Sequence, residues 1–278
     1  MSAVDLSWVD LGLAAVLLVI NGAISLAFGL RLEVSLAVAA LRMAVQLAAV
    51  GFVLKFVFAQ TSPLWTLLMA LVMVSVAGYE LTQRQERRLR GWWAYGFGHL
   101  TLLLVGGLST LYAVAVVIGP EPWHAPRYVL PILGMVLGNT LTSLSLALQT
   151  LTEGAERERV SIEARLALGA TRLEAFGPVL RGALRTALTP LLNVMSVAGV
   201  VTLPGMMTGQ ILAGADPAEA AKYQIMIMFV LTGAAGFGAL VAGLGGVLLL
   251  TDTACGSTGW RRRGPDRGWS HSLPRGRE

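Results

Sequence analysis

Charge is scarce in this sequence: Asp, Glu, Lys and Arg together make up 13% of 278 residues. A soluble domain carries about twice that share, so an ordinary globular enzyme is a poor fit. Cysteine is nearly absent. Cys255 stands alone, which excludes an intrachain disulfide and a thiolate metal cluster. The phosphate-cradling loop Gly-x-x-x-x-Gly-Lys-Ser/Thr does not occur, so the chain carries no ATPase site of that kind. Basic residues are also missing before the first apolar run, where only Met1-Ser2-Ala3-Val4-Asp5 precede it. That start reads as a retained anchor rather than a cleaved signal peptide.

What the chain has instead is apolar length. Hydrophobic residues are 55% of the total, and mean hydropathy is +0.68. Runs long enough to cross a hydrocarbon core of roughly 30 Å recur throughout. Seven spans are expected, at about 7–28, 34–58, 64–79, 95–118, 128–151, 184–212 and 223–251. The third is short, and the sixth holds Pro190 and Pro204, which predict a kink or break there. The fold class is therefore all-α, a polytopic membrane protein of about seven transmembrane helices with a cytoplasmic coupling elbow. Residues 1–252 form the transmembrane domain. The stretch 253–278, rich in Arg, Gly and Pro, reads as a disordered basic tail inside the cell.

Arginine placement sets the orientation by the positive-inside rule. With the N-terminus outside, the inner loops hold Arg31; Arg84, Arg87, Arg88 and Arg90; and six arginines from Arg157 to Arg185. Six more lie in the tail, giving 17 inside against Lys55, Arg127 and Lys222 outside. Arg42 is left within a span. The net charge of +5 thus follows membrane topology and points to no nucleic-acid partner. The expected location is the inner (plasma) membrane, multi-pass, N-out and C-in, with lipid as the surrounding partner.

The inner loop 153–174 has a distinct local code. Residues 153–168 favour helix, Gly169 is a natural stop, and Thr171 with Glu174 has the capping-box spacing that restarts a helix. A helix that stops and restarts within a few residues makes a corner. Leu166 and Leu168 offer apolar knobs there, and Glu163, Arg165 and Arg172 offer charge. A solvated surface helix is the plain alternative; docking of a separate motor protein is the functional one.

Polar groups deep in lipid mark packing contacts or a path. Arg42 lies roughly 13 Å into its span at the helical rise, and Gln46 follows one turn on. Asn139, Thr142, Ser143 and Gln149 are expected to share a face of the fifth span. Interhelical hydrogen bonding competes as an explanation for the Ser and Thr members. Pro204, Gly205, Met206, Met207, Thr208, Gly209 and Gln210 permit an unwound segment near the outer leaflet, as broken transporter helices do. Met206, Met207, Met226 and Met228 read first as core packing and second as soft-metal ligands. No histidine stands at mid-membrane, Asp10 and Glu80 sit near span ends, and Arg42 is the one deep charge. That cation favours an anionic or chelated solute.

Glu163-Ala164 followed by Gly169 resembles the coupling signature of ABC importer permeases, with Arg165 and Arg181-Gly182 departing from it. A more specific likeness lies in Pro204-Gly205-Met206-Met207-Thr208-Gly209-Gln210-Ile211-Leu212-Ala213-Gly214, then Pro217 and Lys222-Tyr223-Gln224-Ile225-Met226-Ile227-Met228. With Gly138-Asn139-Thr140 and Arg42-x-x-x-Gln46-Leu47, this resembles the FetB-type permease family of iron-export ABC permeases, which includes relatives of plant aluminium-tolerance permeases. The likeness implies a permease paired with a cytoplasmic ABC ATPase subunit, iron or another metal ion as cargo, and a homodimeric path. Glu163, Ala164 and Gly169 would couple to the ATPase. Arg42, Gln46, Asn139, Ser143 and the seven residues from Pro204 to Gln210 would line passage. This chain binds no cofactor itself, since ATP belongs to the partner; its metal ligands are unassigned. The alternatives are an ABC permease for an anionic solute such as a nucleotide-sugar, and an ATP-independent carrier, which would ordinarily show a membrane carboxylate or inverted repeats.

Overall fold

The computed structural model describes residues 7–59, 62–84 and 92–255. Among these residues all regular structure is helical, apart from one isolated bridge between Ala198 and Thr202. The basic tail from Gly256 lies outside the described residues.

Helix α1 (Trp8–Ala27) starts on a capping box, with Ser7 and Asp10 each accepting the other's backbone N–H. The turn after it closes on Ser25, whose hydroxyl donates to Glu33 Oε2 at 2.9 Å and accepts the N–H of Leu32. Helix α2 (Glu33–Phe58) and α3 (Pro63–Arg84) follow. Next comes one continuous rod. It comprises α4 (Trp92–Thr101), a π-helical segment Leu102–Gly106, α5 (Gly107–Leu111) and a second π-helical segment Tyr112–Ile118. The remaining elements are α6 (Pro126–Arg157), α7 (Arg159–Ala167), α8 (Arg172–Val197), α9 (Gly205–Leu212) and α10 (Pro217–Cys255).

The core lies among the long helices α6, α8 and α10. Small residues let them meet closely: Ala147, Ala187 and Ala239, one from each, pack together and are fully buried. A Cβ on Gly246 would stand 2.7 Å from Leu151 Cδ2, so the α10 backbone fits against that buried leucine only without one. Such close approach replaces the hydrophobic drive that lipid removes. The α1–α2 hairpin differs. Almost none of its apolar surface is buried within the chain.

Six described helices are long and apolar enough to cross a membrane: Val9–Ala27, Glu33–Phe58, Pro63–Gln83, Gly96–Ile118, Pro126–Arg157 and Pro217–Thr251. The expected sixth span, 184–212, is divided. Helix α8 begins at Arg172 and passes through both Pro178 and Pro190 without stopping, held by the buried neighbours Ala187 and Leu191. The break falls after Val197, where Ala198 turns extended and Gly199 takes φ +83°. Left-handed backbone is cheap only for glycine, and Pro204, itself extended, is the N-cap from which α9 starts. The third span is longer than expected, since α3 runs on to Arg84.

A candidate coupling elbow and translocation site

The elbow is two corners, not one. Helix α6 ends at Arg157 and Glu158 separates it from α7. At the far end of α7 the N–H of Gly169 donates to Leu166 O, and that of Ala170 to Arg165 O, at 3.1 and 3.0 Å. With Gly169 at φ +90°, this is a Schellman closure. Helix α8 restarts at once: the Thr171 hydroxyl accepts the Glu174 N–H, and the Glu174 carboxylate accepts from the Thr171 N–H at 2.8 Å. That backbone N–H, and then the Thr171 hydroxyl, hold the Glu174 carboxyl below its usual range.

Ile162 fastens α7 to the bundle. It is buried with Leu151 and Ala155 of α6, Phe176 and Val179 of α8, and Val247 and Leu250 of α10, with Leu166 packed against the same cluster. Leu166 therefore faces inward and is no docking knob. Val160 and Leu168 are the outward apolar pair, at 81% and 87% exposure. Between them Glu163 accepts from Arg159 Nε at 2.6 Å on the exposed face, and Arg165 reaches back to Ala175 O.

The deep polar residues fall into separate groups. Arg42 Nη2 meets Glu80 Oε2 at 2.7 Å, joining α2 to α3. Glu80 stands three residues from the end of the apolar stretch Pro63–Gln83, near a span end as expected, yet it pairs with Arg42, and the pair carries no charge in sum. The pairing joins residues on two helices, which the sequence alone does not bring together. Gln46 is exposed on the same bare helix. Along α6 the expected shared face splits. Thr142 and Gln149 point outward, Ser143 is buried, and Asn139 donates to Met135 O of its own helix. Gln149 donates to Glu153 Oε1 at 3.0 Å.

The segment from Pro204 forms α9 and packs on α10. Pro204 O accepts both the N–H and the hydroxyl of Thr208, at 3.0 and 3.2 Å. Gly205 and Gly209 have open space where a Cβ would stand. Met206 joins an apolar cluster with Met135, Met195, Met226 and Met228. Gln210 carries a buried amide oxygen with no hydrogen-bond partner among the described residues, and so does Gln224 on α10. Gln224 stood in the sequence motif, but its burial depends on a packing the motif does not encode. Among the described residues no three His, Cys, Asp or Glu side chains converge as a metal site.

A family model described as an uncharacterised protein family, UPF0014, matches residues 8–248. "UPF0014 membrane protein slr1647" of Synechocystis is 38% identical over 231 residues, covering 82% of this chain and 87% of that protein. "Protein ALUMINUM SENSITIVE 3" of Arabidopsis thaliana is 37% identical over 224 residues, 80% of each. "Probable iron export permease protein FetB" of Escherichia coli is 34% identical over 233 residues, 84% of this chain and 88% of that one. No solved structure matches.

Proposed function

Because the chain belongs to the UPF0014 family of membrane permeases, we propose that it is the membrane-spanning subunit of an ABC transporter. A separate cytoplasmic ATPase would bind the elbow, and two copies of this chain would form the path. The cargo we assign is iron or another metal ion, following the name of the Escherichia coli relative. The orientation we assign is N-out and C-in in the inner membrane, which the arginine distribution supports.

The observation that carries this reading is the mechanical continuity of the elbow. Ile162 locks α7 into the bundle, while the Schellman closure and capping box join it to α8 with no slack. A force on α7 would therefore move α8, a rod of roughly 39 Å at 1.5 Å per residue. Glu163, Ala164 and Gly169 keep their coupling assignment, with Val160 and Leu168 added as the exposed grip. The Arg42–Glu80 pair removes the electrostatic case for an anionic solute. Its 56% and 23% side-chain exposure fits a wet or protein-covered face, since a bare ion pair against lipid is costly. That supports placing Arg42 and Gln46 where two copies meet.

The test is reconstitution in liposomes with the candidate ATPase. ATP turnover should rise with ferrous iron or another metal, and fall toward the ATPase's own basal rate in a Val160→Asp/Leu168→Asp variant. Failure of any ATPase to associate sinks the reading. Stimulation by a nucleotide-sugar alone keeps the ABC assignment and discards the metal.

A further inference from the structure

We infer that the methionines and orphaned glutamine oxygens at the outer end of the bundle form a binding site for a soft monovalent cation of the Cu(I) class. Met195 of α8, Met206 of α9, and Met226 and Met228 of α10 pack into one cluster with Met135 of α6. Four different helices thus each contribute methionine to one apolar cluster. Packing alone explains methionine in an apolar cluster; it does not explain what stands beside it.

Gln210 lies one helical turn after Met206, and Gln224 one turn before Met228. Each therefore shares a face with a methionine of the cluster. Each also has a buried amide oxygen without a hydrogen bond among the described residues, and Gln224 is only 9% exposed. A buried acceptor left unpaired costs on the order of 1–3 kcal/mol, so two on one hairpin call for an electron-poor guest. The Thr232 hydroxyl donates to Met195 Sδ at 3.1 Å, which fixes one sulfur by a polar contact that packing does not need.

The donor set selects the guest. Thioether sulfur favours soft ions, whereas Mg, Mn and similar divalent ions take carboxylate and water oxygen. Among the described residues no three His, Cys, Asp or Glu side chains converge anywhere, so no hard-ligand cage for a doubly charged ion competes with this set. A single charge shared over thioethers and amide oxygens suits it. As cargo site, this rests on the permease reading and narrows its metal class; as a binding site, it stands without it.

The test uses the full chain in nanodiscs, with Cys255→Ser to remove the thiol, and Ag(I) as the probe that does not oxidise. Equilibrium dialysis with metal analysis should find about one Ag(I) per chain, outcompeted by Cu(I) and not by Fe(II). Met206→Leu/Met228→Leu and Gln224→Leu should each weaken binding at least about tenfold, the scale seen when a metal site loses a supporting group. Methionine and leucine are close in volume, and monodispersity is checked on the same samples. Should the double variant aggregate, Met206→Leu alone on half-buried α9 replaces it. Absence of Ag(I) binding overturns the inference. So does a Gln224→Leu chain that is more stable and binds undiminished, which would give the orphan oxygens to water. ATPase capture is scored separately. Ag(I) bound without any ATPase sinks the permease reading and leaves the site; iron-stimulated ATPase without Ag(I) binding does the reverse.

Discussion

Arg42 and Glu80 are 38 residues apart, and neither is intelligible alone. Read along the sequence, Arg42 is a lone cation at depth and Glu80 a carboxylate at a helix end. Brought to 2.7 Å, they become a neutral tie between α2 and α3. An ion pair in open water couples by about 0.2–1 kcal/mol. In a site screened from bulk water the coupling should exceed that range, because an unpaired charge there is what lipid penalises. A double-mutant cycle of Arg42→Ala and Glu80→Ala, read by thermal unfolding in nanodiscs, should therefore give more than about 1 kcal/mol. Arg42→Glu/Glu80→Arg should recover much of the loss. Coupling inside the open-water range would place the pair on a fully hydrated surface and count against its position between two copies.

The elbow was the most legible element, because its signals are local. Gly169, Thr171 and Glu174 announce a stop and a restart within six residues, and the backbone obeys them. Of the two prolines expected to interrupt the sixth span, Pro204 does close the break at 198–204 while Pro190 does not stop α8, since proline marks where a helix is weak and not whether neighbours hold it together. Inward-facing Leu166 and outward-facing Thr142 were missed for a related reason: which face is buried depends on α8 and α10, far away in sequence. At Gly169 a Cβ meets no atom within 4 Å, so Gly169→Ala should cost only its left-handed backbone, about 1–2 kcal/mol. Gly182 of α8, equally open but helical, is the control; Gly182→Ala should stabilise by roughly 0.5–1 kcal/mol. Amide exchange over α7 and the first turn of α8 would separate the two. The pH response follows the lowered Glu174 carboxyl. A depressed folded-state value means the cap contributes fully above the ordinary carboxylate range and is lost as pH falls through the lowered value. Protection of the first α8 amides should thus persist from neutrality through the usual glutamate range and fail only below it, whereas Thr171→Ala should weaken it at neutral pH.

At the scale of the molecule, α6, α8 and α10 share a core within one chain while the α1–α2 hairpin buries almost nothing there. Lipid or a second copy must cover that hairpin, and only orientation decides what the elbow can reach. In the proposed orientation the elbow lies inside and the α9–α10 turn outside. In a Cys255→Ser background, Ser161→Cys on exposed α7 and Ala215→Cys in the exposed α9–α10 turn report each side. A membrane-impermeant maleimide on intact cells should label the Ala215→Cys chain and spare the Ser161→Cys chain until the membrane is opened. The reverse pattern would put α7 outside the cell. No cytoplasmic ATPase could then grip it, and the continuity from α7 through Gly169 and Thr171 into α8 would lose its role as a drive shaft. Labelling of both before permeabilisation would mean that the bundle does not span at all, which the buried small-residue contacts among its long apolar helices argue against.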